Sequence, residues 1–88
     1  MGAYKVKFKA AVDKDLGNLP KNVVTRVWKQ LESLKHQPFP IQAVKLEGSE
    51  GLYRLRAGDY RIIYGVDVDA KEVLIHHVRH RREVYRRL

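Results

Sequence analysis

Between Leu52 and Tyr64 apolar and polar residues alternate with a period of two, and the sense of the alternation changes across Gly58-Asp59. That is the signature of two strands meeting at a tight turn. The pattern predicts a β-hairpin in which Ala57 faces Tyr60, Arg56 faces Arg61, Leu55 faces Ile62, Arg54 faces Ile63 and Tyr53 faces Tyr64. One face then carries Arg54, Arg56, Arg61 and Ile63, and the other carries Tyr53, Leu55, Ala57, Tyr60, Ile62 and Tyr64. Upstream, Tyr4, Val6 and Phe8 alternate with Lys5, Lys7 and Lys9, a strand with one buried face. A short helix is expected from about Ala10 to Leu16, stopped by Gly17-Asn18. A second helix opens at Pro20, whose missing N–H costs nothing in a first turn. In it Val24, Val27, Trp28, Leu31 and Leu34 form an apolar stripe, with Trp28 expected in the core.

The prolines at 38 and 40 hold Gln37 and Phe39 extended and end that helix. A loop runs to Lys45-Leu46, with Glu47 to Gly51 as its flexible end. A last strand, Glu72 to Val78, follows a turn over Asp67 to Lys71. Its apolar run Val73-Leu74-Ile75 leaves the register open, and simple alternation sends His76 and His77 to opposite faces. Residues 79–88 have room for about two helical turns. The order strand, helix, helix, strand, strand, strand, short helix predicts an α+β fold. The expected architecture is an antiparallel sheet of about four strands, an N-terminal helical hairpin packed on one face, and a short C-terminal helix. The helices would cover Tyr53, Leu55, Ile62 and Tyr64 and leave the arginine face open. The 88 residues form one domain, 1–88, without repeat or linker.

Charge sharpens the picture. Lys and Arg number 18 against 10 Asp and Glu, for a net charge of +8 and a pI near 10.0, which points to nucleic acid, an acidic protein, or both. Arg56 directly opposite Arg61 costs a few tenths of a kcal/mol to about 1, and a site for a polyanion explains why the pair is there. The competing reading is a solvated sheet face, but such a face mixes signs, and the only acid here is Asp59 in the turn. With no cysteine, thiolate and disulfide chemistry are excluded and a cytoplasmic location is expected. No apolar run reaches the ~20 residues of a membrane span, so no membrane partner is expected.

Arg81 and Tyr85 follow the last strand, which can place them beside Arg61. A ring flanked by guanidinium groups suits single-stranded nucleic acid, the ring stacking on a base while arginines hold phosphate; Tyr85 as an anchor on the core is the equal alternative. Of four histidines, His80 stands next to Arg81 and is the candidate proton carrier, given the near-neutral range of imidazole. There is no HExxH, Walker loop, GxGxxG or serine nucleophile motif. No metal or cofactor is expected, and hydrolysis of nucleotides, redox chemistry and proteolysis have no support.

Lys45-Leu46-Glu47-Gly48, then YRLRxGDYRxxY from Tyr53 to Tyr64, then HRRxVY from His80 to Tyr85, closely resemble the RelE/ParE toxins of bacterial type II toxin-antitoxin systems, and the likeness spans nearly the whole chain. The resemblance implies one of two activities: ribosome-dependent cutting of mRNA, as in the RelE branch, or inhibition of DNA gyrase without nuclease activity, as in the ParE branch. The basic residues on the sheet and the C-terminal arginine and tyrosine favour the RelE branch. A non-catalytic nucleic-acid-binding module is a third reading, supported by net charge alone. Carried over, the resemblance puts Arg54 and Arg56 around the scissile phosphate and makes Arg61 a phosphate clamp. Arg81 would stabilise the transition state or protonate the leaving oxygen, and Tyr85 would stack on or orient the substrate base. Lys45 and Arg82 would add RNA contacts. The reaction implied is attack by the RNA's own 2′-hydroxyl, without metal. Relatives often have lysine where this chain has Arg54 and Arg56, and a guanidinium does not give up its proton. The general base is therefore open among His80, Lys45 and groups of the ribosome or RNA. The partners implied are the ribosome with its mRNA, an acidic RelB-like antitoxin, and operator DNA only through the toxin-antitoxin complex.

Overall fold

The computed structural model describes residues 3–48 and 51–80. Within them the chain runs β1 (Lys5–Phe8), α1 (Ala10–Gly17), α2 (Lys21–His36), β2 (Val44–Lys45), β3 (Leu52–Ala57), β4 (Tyr60–Asp67) and β5 (Glu72–His80). The strands form one sheet in the order β1-β5-β4-β3-β2. The architecture is α+β as expected, with two corrections. The sheet has five strands rather than four, because Val44 and Lys45 pair with Arg54 and Tyr53; two residues carry no readable periodicity. It is also mixed rather than antiparallel, because β1 lies parallel to β5, Val6 against Val73 and Phe8 against Ile75. The chain leaves β1, passes through both helices and three strands, and returns alongside it, a long connection of the kind parallel pairing requires. Of residues 79–88, expected to turn helical, Arg79 and His80 continue β5 instead, and 81–88 lie outside the described residues.

The helical hairpin covers one face of the sheet. Val12 of α1 and Val27, Leu31 and Leu34 of α2 pack with Leu55, Ala57, Ile62, Tyr64, Val73, Ile75 and Val78 into one buried cluster. A fully buried Val, Leu or Ile contributes about 1.5 to 3 kcal/mol, so this layer carries most of the stability. Trp28 is not in it. It is 45% exposed and meets Phe8 of β1 with ring centroids 5.8 Å apart. The apolar stripe of α2 is centred on Val27, Leu31 and Leu34, and Trp28 sits at its margin, over the sheet edge.

Two contacts matter for the other face. Tyr64, fully buried, donates its hydroxyl to the carbonyl of Pro38 at 2.9 Å, and Phe39 meets Tyr53 edge-on at 5.3 Å. The loop after α2 is thereby pinned to the helix side of the sheet before it crosses to the edge as β2. Past the end of β1, the open edge of β5 is covered by α1: Asp15 accepts a hydrogen bond from the Val78 amide at 3.1 Å and lies 3.5 Å from Arg79.

Candidate functional site

The hairpin closes as its sequence dictates. All five expected pairs are present, Arg56 against Arg61 and Arg54 against Ile63 among them. Gly58 takes a φ of +65° and Asp59 does not share it, the arrangement of a type II′ turn, whose twist matches that of the strands. A Cβ at Gly58 would also stand 3.1 Å from the Arg26 guanidinium.

Register then fixes the face turned away from the helices, because residues directly opposite one another share a face. Two rows cross it. One runs Arg56, Arg61, Arg79 over β3, β4 and β5. The other runs Val44, Arg54, Ile63, His77 over β2 to β5. Arg54, Arg56 and Arg61 line a hollow of about 410 Å³ with Gly58, Val44, Gln42 and Gln30, and no carboxylate is among these lining residues. Gln30 reaches in from α2 and donates to the Arg56 carbonyl at 3.0 Å. The face is less open than expected, however: Arg61 is only 3% exposed and Ile63 4%, so the middle of β4 is buried on both sides. Arg56 is exposed and Arg54 half-buried.

The other expected site residues separate. His80 stands opposite Tyr60, with ring centroids 5.3 Å apart and planes nearly perpendicular. That position is one beyond Arg79, so His80 lies on the helix side of the sheet, away from Arg54, Arg56 and Arg61. Lys45 pairs with Tyr53 and likewise projects from the helix-side register, at the exposed edge. Arg81, Arg82 and Tyr85 lie outside the described residues.

Two imidazoles do reach the arginine face. The β4–β5 ladder slips between Ile63 and Tyr64: Ile63 faces His77 and Tyr64 faces Ile75, which makes His76 the extra residue of a β-bulge. Ile75 and Val78, three apart, therefore both point into the helix-side core, and the two histidines between them turn to the other face. This overturns the expectation that they point oppositely. The His76 Nε2 lies 3.6 Å from where a Cβ on Gly65 would stand, so the bare glycine makes room for the ring. Burial, then the charges of Lys9 and His77, hold the His76 imidazole below its ordinary 6.5.

Gln30, Gln42, Val44 and Arg79 join the face without having been singled out from sequence. Val44 reaches this face through its pairing with Arg54 and Gln42 from the turn just before it, placements readable only once β2 is known to pair with β3. Among the described residues no three His, Cys, Asp or Glu side chains stand close enough to hold a metal ion, and no helix is long and apolar enough to cross a membrane.

Residues 6–85 match the profile of the ParE toxin of the type II toxin-antitoxin system parDE. The chain is 31% identical to the toxin RelE of Mycobacterium tuberculosis over 94% of its own length and 87% of that protein's. It superposes on a chain of the crystal structure of the archaeal RelE-RelB complex from Pyrococcus horikoshii with a TM-score of 0.80 and 37% identity, covering 90% of this chain and 96% of that one. On the isolated E. coli RelE toxin the TM-score is 0.76 at 25% identity, with coverage of 98% and 100%.

Proposed function

Because this chain belongs to the RelE/ParE family of type II toxin-antitoxin toxins, we propose that it is a ribosome-dependent mRNA endoribonuclease of the cytoplasm, neutralised by an acidic RelB-like antitoxin. The observation that carries this reading is the convergence of Arg54, Arg56 and Arg61 on one hollow with no acid among its lining residues. An RNA phosphate seated there meets forked, charge-assisted donors. The ribose 2′-hydroxyl adjacent to it attacks phosphorus, the P–O5′ bond breaks, and the products are a 2′,3′-cyclic phosphate and a 5′-hydroxyl. Negative charge gathers on the non-bridging oxygens in the transition state, where fixed guanidinium groups are worth most. The substrate supplies its own nucleophile, so the protein contributes positioning and charge.

Proton transfer is assigned differently from the simplest reading of the sequence. His80 faces away from the hollow, so the 2′-hydroxyl proton passes to the ribosome, the RNA or solvent. Arg81 stabilises the leaving 5′ oxygen, which takes its proton from solvent, because a guanidinium keeps its own; Tyr85 stacks on a base, while Arg82 and Lys45 hold flanking phosphates. Operator DNA is contacted only through the toxin-antitoxin complex.

Gyrase inhibition is the second reading, favoured by the ParE profile that the chain matches. Primer extension on a translated message, with and without ribosomes, run beside a gyrase supercoiling assay, separates the two. Cuts that appear only with ribosomes, with supercoiling intact, are the expected result. Inhibited supercoiling without cuts assigns the chain to the gyrase branch.

A further inference from the structure

We infer that Gln42 and Val44, on the β2 side of the arginine hollow, form a subsite that reads one nucleobase beside the cut, with adenine preferred; this rests on the RNA-cutting reading above. The hollow is chemically divided. Its β3 and β4 side presents Arg54, Arg56 and Arg61, and its β2 side presents a neutral amide and an isopropyl group. Phosphate belongs with the cations. What projects from a phosphate toward the next strand, about 4.8 Å away, is a nucleoside, and the β2 side offers what a base needs.

Val44 is directly opposite Arg54 and 48% exposed, an apolar flank for the face of a ring. Gln42 sits in the turn that leads into β2 and lines the same hollow. Its side chain is exposed and makes no hydrogen bond to any described residue, whereas the Gln30 amide is spent on the Arg56 carbonyl. A glutamine amide presents a donor and an acceptor side by side, the complement of the adenine N6–H and N7 pair.

The Gln42 backbone is held before any ligand arrives. The Ala43 amide donates to the Pro40 carbonyl at 2.9 Å, Tyr64 holds Pro38 and Phe39 packs on Tyr53. Preorganisation of this kind lowers the cost of ordering a contact on binding.

The test is sequencing of cut ends from messages translated in the presence of wild type, Gln42→Ala and Gln42→Glu. The readout is the ratio of adenine to other bases at each position flanking the cut within each digest. Ribosome-imposed preferences are common to all three digests, and a merely less active variant does not move the ratio. Wild type should favour adenine at one flanking position. A bidentate base contact discriminates by roughly five- to a hundred-fold, and Gln42→Ala should lose that factor. Gln42→Glu, which only accepts, should move the preference toward cytosine, whose N4 donates. An adenine preference that survives in both variants, or none in wild type, overturns the subsite while leaving the nuclease reading standing. No cutting by wild type overturns both.

Discussion

Among single residues, Arg56 and Arg61 face each other across the hairpin yet differ in what they do for the fold. Arg56 is exposed, so its main structural effect is repulsion of its neighbour. Arg56→Thr should stabilise the fold by a few tenths of a kcal/mol, seen as a slightly higher urea midpoint, while weakening RNA cutting, a trade often found at functional sites. Arg61 is buried at 3% exposure, and truncation removes both its packed stem and its interactions. Arg61→Ala should cost about 2 kcal/mol or more, so growth arrest by that variant has to be scored beside its melting curve. Equal melting curves for the two variants would contradict the burial difference. Tyr64 supplies a pH test. Burial, then the neighbouring Tyr53, pushes its phenol up to about 12. A folded-state value above the unfolded one of about 10 means that stability is fully present below pH 10 and is lost as pH rises from 10 through 12. Two units correspond to roughly 2 to 3 kcal/mol. Tyr64→Phe should be about 1 kcal/mol less stable at pH 8, having lost the bond to Pro38, and should show a smaller fall between pH 10 and 12. Unfolding curves of both proteins across that range are the check; parallel falls would refute it.

At the level of elements, the sheet edges show how the fold closes. β1 pairs with β5 only as far as Ile75, and beyond it the backbone of β5 would be open on that side. Asp15 takes over, binding the Val78 amide and facing Arg79, so α1 substitutes a carboxylate for the missing strand. Asp15→Ala should cost about 1.5 to 3 kcal/mol, as for a hydrogen bond to a charged acceptor. The Val78 amide should lose protection from hydrogen exchange more than amides of β3. A variant with unchanged Val78 protection would show that α1 covers this edge by packing alone. The bulge at His76 lies in the same strand, and together the two features re-aim its outer half. In α2, by contrast, the stripe is read correctly at Val27, Leu31 and Leu34 and wrongly at Trp28, because the angular width of the buried arc is set by how far the sheet extends beneath the helix.

For the molecule as a whole, the sheet separates two chemistries. The helix side holds the core and, at its end, His80 against Tyr60; the other side holds the arginine rows with His76 and His77. His80→Gln should therefore leave the pH profile of single-turnover cleavage on ribosomes unchanged and its rate within a few-fold of wild type. A proton acceptor contributes about 10² to 10⁴-fold, so a loss of that size with a flattened profile would restore His80 to the site.

The hairpin pairing, both helices and the basic character of the face follow from the sequence alone. These are local properties: a two-residue turn fixes which residues oppose one another, and period two fixes which side chains share a face. The parallel partnership of β1 and β5 was beyond that reach, as were the bulge that brings His76 and His77 to the arginine side, the burial of Arg61 and the exposure of Trp28. Each depends on how elements distant in the chain settle against one another. Alternation records the two sides of a strand, but packing of the entire core decides its neighbour, its register and how deeply each side is covered.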